Sequence, residues 1–302
     1  MRAAALVLRR ALPRLPLGLI YVPKGPALDY NDEAALEFVL ETLEDIAHKS
    51  RSIFIKIDPD VSEEESHLAG PVKALLNRRG WCFSPEQVQF KNTLCVDLRR
   101  SEDELLKAMK AKTRYNIHLA SRRGVEVRPG ALEDIETFYQ LYRETALRDS
   151  FIIRPPAYYY DAWGTFMRAG LARLFLALHE GEVLAGLLLF HLGKRAWYMY
   201  GASSDRKRQV MSNYLLQWEA MLWAKAQGCA IYDMWGAPDI LDESDPLWGV
   251  YRFKAGFGGS FVRHIGAYDY PVWPAFYKLY HIAVPRYLSF LRRRHRVGGN
   301  FS

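Results

Sequence analysis

The chain has 302 residues, half of them hydrophobic and 14% aromatic, and 41 Lys and Arg outnumber 34 Asp and Glu for a formal net charge of +7. This composition excludes a disordered or fibrous chain, and the length exceeds the usual single domain, so two domains with buried cores are expected. The basic balance suits a polyanionic partner such as nucleic acid, a nucleotide-linked substrate or an anionic membrane surface.

Three scattered cysteines, Cys82, Cys95 and Cys229, give no disulfide framework and no CxxC zinc site, and they fit a reducing compartment. No HExxH, GxSxG elbow, Walker A loop or GxGxxG follows a strand, so no metal or nucleotide cofactor is expected. Residues 1–28 hold several Arg and no acid, as a targeting segment does. However, Arg9 and Arg10 interrupt the apolar run after Ala3, and no run reaches the ~18 residues of a membrane span. The segment reads as part of the fold of a cytoplasmic protein.

In chain order, Leu19–Val22 reads as a strand stopped by Pro23-Lys24-Gly25-Pro26. Asn31 or Asp32 caps a helix with Ala35, Phe38, Val39, Leu43 and Ile46 at helical spacing. A strand over Ser52–Ile57, a helix over Glu65–Arg79 and a strand over Gln89–Leu98 follow, an α/β order. Ser101 and Glu104 form a capping box for one long helix to Arg123, ended by Gly124. Beside its apolar stripe this helix carries Lys107, Lys110, Arg114, His118 and Arg122. Such a row is either a solvated face or a track for a phosphate backbone; the scarcity of acids after Glu104 favours the second.

From Val125 a second pattern runs: strand Val125–Arg128, helix Leu132–Arg148, a helical stretch Ala157–Arg168, and strands Leu174–Leu178, Glu182–His191 and Ala196–Ala202. Helix Met211–Gln227 and strand Ala230–Trp235 complete it. Strand, helix, three antiparallel strands, helix, strand is the order of an N-acetyltransferase-like (GNAT) domain, and the first half resembles a less complete copy. The expected division is 1–100, a connecting basic helix 101–124, 125–272, and a C-terminal helix with a basic tail, 273–302. The stretch Tyr251–Gly259 sets Lys254 between an aromatic and three glycines. That lysine is either a solvated residue near a helix end or a point charge aimed at a phosphate or developing oxyanion.

Tyr21-Val22-Pro23-Lys24-Gly25-Pro26, Lys112-Thr113-Arg114-Tyr115-Asn116-Ile117, Tyr200-Gly201-Ala202-Ser203 and Phe253-Lys254 with its glycines lie in one order over residues 18–270. Together they resemble the Fem peptidyltransferase family (FemA, FemB and FemX). The resemblance implies an α/β fold of two tandem GNAT-like (acyl-CoA N-acyltransferase-like) domains. The implied activity is transfer of an amino acid from aminoacyl-tRNA, a co-substrate, to an amine of the peptidoglycan precursor's stem peptide.

It further implies that Lys254 stabilises the charge formed as amine attacks ester, with Phe253 beside it on the tRNA end. Tyr200 stands near the reacting centre, with Tyr198 the alternative register. Arg154 and Tyr158 grip the precursor's diphosphate region. Lys107, Lys110, Arg114 and Arg122 are candidate tRNA contacts in place of a helical hairpin that this chain lacks. The chain also begins without the strand–helix unit that normally opens the first domain of the family. A lipid-linked acceptor and the run Arg292-Arg293-Arg294-His295-Arg296 leave room for peripheral association with the inner face of a membrane.

Two other readings stand beside this one. An acetyl-CoA-dependent acetyltransferase needs a Gly-rich turn for the pyrophosphate, whereas Asp205–Asn213 holds no glycine. A degenerate tandem-GNAT binding protein would need no ammonium in the 251–259 segment.

Overall fold

A computed structural model describes residues 2–13, 15–284 and 286. The chain forms two compact units, residues 1–91 with 263–302, and residues 92–262. These differ from the ranges read from the sequence because of two strand pairings. Asn92–Asp97 pairs antiparallel with Ile231–Asp233 and so joins the second unit, while Tyr268–Pro271 pairs antiparallel with Ser52–Ile57 and returns to the first.

The first unit has a five-stranded sheet in the order Leu8–Ala11, Gly18–Val22, Ser52–Ile57, Tyr268–Pro271, Cys82–Phe83. Gly18–Val22 and Ser52–Ile57 are parallel, with helix Glu33–Lys49 between them in sequence. Asp32 caps that helix by accepting from the Ala35 N–H. All six residues of Ser52–Ile57 are buried, because both faces of the strand are covered. Ile55 and Ile57 meet Leu40, Leu43, Val72 and Leu76 of the helices Glu33–Lys49 and Ser66–Arg78. On the other face the Phe54 ring meets Tyr277, Tyr280 and His281 of a helical run over 274–284.

The buried stripe of Glu33–Lys49 is Leu36, Leu40, Leu43 and Ala47, whereas Phe38 is 69% exposed. The expected stripe through Phe38 and Ile46 is therefore out of phase. The expected and the buried rows share Leu43 and lie side by side on one apolar arc, so packing against the sheet chooses which of them is covered.

The second unit has a seven-stranded sheet in the order Ser260–Arg263, Asn92–Asp97, Ile231–Asp233, Arg195–Ser203, Glu182–Leu192, Ala172–His179, Val125–Pro129. Helices Ala111–Arg122 and Ser212–Ala226 contribute Ile117, Ala120, Leu216 and Met221 to the core on one face. Helices Ile135–Asp149 and Pro156–Arg168 supply Phe138, Tyr159 and Trp163 to the other.

Two irregularities in this sheet shape the site. Arg195–Ser203 runs parallel to Ile231–Asp233 only from Arg195↔Ile231 to Trp197↔Asp233. Beyond that, the Met234 and Ala237 N–H groups donate to Leu94 and Asn92, while Tyr200–Ser203 stays paired with Glu182–Leu192. The two strands splay apart. The second irregularity is a bulge: Leu189 pairs with Tyr198 but Leu188 with Tyr200, leaving Met199 as the extra residue.

The single helix expected over 101–123 is two, Glu102–Ala108 and Ala111–Arg122. Met109 and Lys110 are extended between them, and the Lys110 N–H donates to the Gly256 carbonyl at 2.9 Å.

Candidate active site

Lys254 is the last residue of helix Trp248–Lys254, which a 3₁₀ turn, Ala255–Phe257, extends. Gly258 then turns the chain at φ +78°, where a Cβ would lie 2.6 Å from the Ala108 carbonyl oxygen; only glycine fits there. The ammonium is therefore not displayed on a glycine loop. It is 7% exposed and donates to the Trp235 carbonyl and, at 2.8 Å, to the Gly236 carbonyl. Both carbonyls lie just past Asp233, where the two strands part.

Burial lowers the Lys254 pKa from 10.5 to about 8, and the Asp233 charge opposes that fall. At neutral pH the group is still mainly cationic, in surroundings where water screens it poorly. Such a cation interacts strongly with any negative charge that forms beside it.

Asp233, which the sequence reading did not single out, organises this corner. Its Oδ1 accepts from the Thr93 hydroxyl at 2.5 Å and from the Trp235 N–H at 2.9 Å. That bond holds Trp235 at φ +50°, an unusual conformation for a tryptophan, directly before the carbonyls that receive Lys254. An Asp two residues before a bonded N–H at a strand end is a recognisable turn signal. Asp233-Met234-Trp235-Gly236 therefore carried a clue in the sequence.

The bulge at Met199 settles which tyrosine accompanies Lys254. The Lys254 Nζ lies 5.7 Å from the centroid of the Tyr198 ring, within cation–π range. Enclosure raises the Tyr198 pKa to about 12, so its phenol stays protonated. The ring also lies against Gly201, where an added Cβ would sit 1.9 Å from the Tyr198 Oη.

Tyr200 projects to the opposite face and joins a cluster of rings, with centroids at 5.8 Å from Tyr142, 5.3 Å from Trp163 and 6.1 Å from Tyr159. Burial holds its phenol above the ordinary pKa, and the Arg154 charge works the other way. Tyr200 thus groups with Arg154 and Tyr158, not with Lys254. The Arg154 guanidinium sits 4.7 Å from the centroid of the Tyr158 ring. Both side chains are exposed, and Pro156 at the first helical position fixes the turn that presents them. The Phe253 ring packs on other aromatics, its centroid 5.2 Å from those of Tyr214 and Phe257.

The basic row is not one continuous face. Lys107, Lys110 and Arg122 are exposed, on either side of the break at 109–110. Arg114 is turned inward onto the end of the first helix. Its guanidinium donates to the Leu106 and Lys107 carbonyls at 3.3 Å each, and to Met109. A cation satisfying the last carbonyls of a helix has a structural task. The Arg122 guanidinium lies 5.9 Å from the Tyr115 ring centroid. Arg292–Arg296 lies outside the described residues. In the first unit, a hollow of about 580 Å³ between Ala3–Ala5 and helix Glu33–Lys49 holds none of the candidate residues.

The FemAB family pattern matches residues 1–180 and 177–284. The chain belongs to the FemAB family. A lipid II:glycine glycyltransferase of Staphylococcus aureus is 26% identical over 355 aligned positions, covering 94% of this chain and 84% of the relative. The crystal structure of FemX superposes with a TM-score of 0.85 at 24% identity, over 92% of this chain and 87% of that one. A tandem GNAT protein from clavulanic acid biosynthesis superposes at 0.53 and 12% identity, over 88% and 78%. The fold of this FemAB member is thus the α/β tandem-GNAT architecture that the motif order implied.

Proposed function

We propose that the chain transfers an amino acid from aminoacyl-tRNA to an amine of a peptidoglycan precursor's stem peptide. The observation that carries this reading is the enclosed Lys254 ammonium at the parting of two strands, in a chain of the FemAB family. A relative named for glycine transfer to lipid II adds weight to a lipid-linked acceptor.

The chemistry needs no nucleophilic side chain. The acceptor amine adds to the ester carbonyl, the new C–N bond forms as the bond between the acyl carbon and the ribose oxygen breaks, the amine loses a proton and the ribose oxygen takes one up. Three tasks remain for the protein: orienting the reactants, stabilising the oxyanion and helping the amine's proton leave. Lys254, cationic below about pH 8, suits the second, and the protonated Tyr198 phenol beside it is a second donor. The exposed Arg154–Tyr158 pair suits a diphosphate, which a guanidinium binds through paired hydrogen bonds. Exposed Lys107, Lys110 and Arg122 are the cations left for a tRNA backbone, Arg114 having a structural task.

The acetyl-CoA reading loses ground at Asp205–Asn213. Lys207 is ion-paired to Glu180 and Glu182, Arg206 to Glu182 and Arg208 to Asp205, so the segment is filled by side chains where a pyrophosphate would need bare backbone. The enclosed Lys254 ammonium with its lowered pKa favours a catalytic role over binding alone. The test uses tRNAs charged with labelled amino acids and both the nucleotide-linked and the lipid-linked precursor, with calorimetric titration of acetyl-CoA in parallel. Label in either precursor supports the reading; micromolar acetyl-CoA binding with no label transfer overturns it.

A further inference from the structure

The helical run over 274–284 is seated by one face only. On its inner side the Tyr277 hydroxyl donates to Asp269 at 3.0 Å, and the rings of Tyr277, Tyr280 and His281 lie 5.3–5.6 Å from that of Phe54. These contacts fix the helix's rotation. The opposite side carries Phe276, Leu279 and Ile282, with Trp273 just before the helix, and all four are 47–59% exposed. Large apolar side chains three apart form a continuous stripe pointing to solvent, which a folded protein rarely leaves uncovered.

Charge identifies what covers it. After Asp269 the chain contains no acidic residue and six basic ones: Lys278, Arg286, Arg292, Arg293, Arg294 and Arg296. An apolar helical face within an acid-free, arginine-rich segment matches a surface of apolar chains beneath anionic headgroups. A tryptophan at its start is the residue type that settles at the boundary between the two. No helix among the described residues is long and apolar enough to cross a membrane, so the helix would lie in the surface.

We infer that this helix docks the protein on an anionic bilayer, with Trp273, Phe276, Leu279 and Ile282 entering the acyl boundary and the basic residues meeting the headgroups. It deepens the proposed action on a lipid-linked acceptor and rests on that reading only for its purpose. The transferase residues lie on other elements, so the surface is testable without any substrate.

The experiment is cosedimentation of the full chain with vesicles of phosphatidylcholine containing one-third phosphatidylglycerol, against vesicles of phosphatidylcholine alone, with neither precursor nor tRNA present. Wild type should pellet with the anionic vesicles and lose at least tenfold in affinity on neutral ones. Phe276→Glu/Leu279→Glu should lose at least tenfold on anionic vesicles while keeping the wild-type Tm and label transfer to the nucleotide-linked precursor. Equal binding of that variant, or no binding by wild type, overturns the inference even if transfer is active. A wild-type dimer that the variant turns into a monomer overturns it too, since a second copy would then cover the face. Vesicle binding in a protein that transfers nothing would leave the docking surface standing and remove the transferase reading.

Discussion

Lys254→Met removes the ammonium while keeping a flexible side chain of similar length. Lowering its pKa from 10.5 to about 8 means that holding the charged form inside the fold costs about 3 kcal/mol at pH 7. Methionine relieves that cost but leaves the Trp235 and Gly236 carbonyls without their donor, at about 1–3 kcal/mol each. The two effects oppose each other, so net stability should change by between about 1 kcal/mol gained and about 3 kcal/mol lost. For a unit of this size that is a Tm rise of up to about 4 °C or a fall of up to about 12 °C. Transfer should behave differently: loss of one well-aimed oxyanion donor raises the barrier by about 3–4 kcal/mol, a fall of about 10²–10³-fold in single-turnover rate. Thermal melts and single-turnover transfer on the same preparation separate the two. A folded variant with near wild-type transfer refutes the reasoning, as does an unfolded one, which would make Lys254 a structural group.

Other outcomes follow from the same geometry. Transfer should fall as pH rises through about 8, where Lys254 loses its proton, and the stability of the second unit should rise between about 8 and 10.5, because the unfolded chain then binds more protons than the folded one. Asp233→Asn should move the activity limb below pH 8, since the Asp233 charge holds the lysine's pKa up; an unmoved limb in a folded variant removes Asp233 from this role. Gly201→Ala should cost about 1–3 kcal/mol in a chemical melt, because its Cβ would meet the Tyr198 hydroxyl at 1.9 Å; a neutral substitution would show that the ring is free to move. Lys107→Glu/Lys110→Glu should weaken tRNA binding whatever amino acid is attached and lower the log–log salt slope by roughly one per lost phosphate contact, whereas an unchanged slope rejects these lysines as contacts.

Element types and order were legible in the sequence because each depends on local signals: the Asp32 cap, the Ser101–Glu104 box, glycines at helix ends, and turns between alternating strands. What escaped depends on contacts distant in sequence. The break at Met109–Lys110 has no glycine or proline to announce it; it coincides with a bond from Lys110 to Gly256, 146 positions on. The unit boundaries follow the pairing of Tyr268–Pro271 with Ser52–Ile57, which no local pattern encodes. At the site, Lys254 was conspicuous from its neighbours, but its burial and bonding to Trp235 and Gly236 arise from a different loop. The choice between Tyr198 and Tyr200 could not be read at all, because a single extra residue at Met199 reverses the faces that a regular strand would assign.

The central claim is aminoacyl transfer onto a precursor amine, and the mass of the acceptor tests it most directly. The lipid-linked precursor, incubated with the protein and a pool of charged tRNAs, should gain the mass of one or more aminoacyl residues. Fragmentation should place them on the side-chain amine of the stem peptide. An acceptor of unchanged mass with every charged tRNA, in both its lipid-linked and nucleotide-linked forms, contradicts the account.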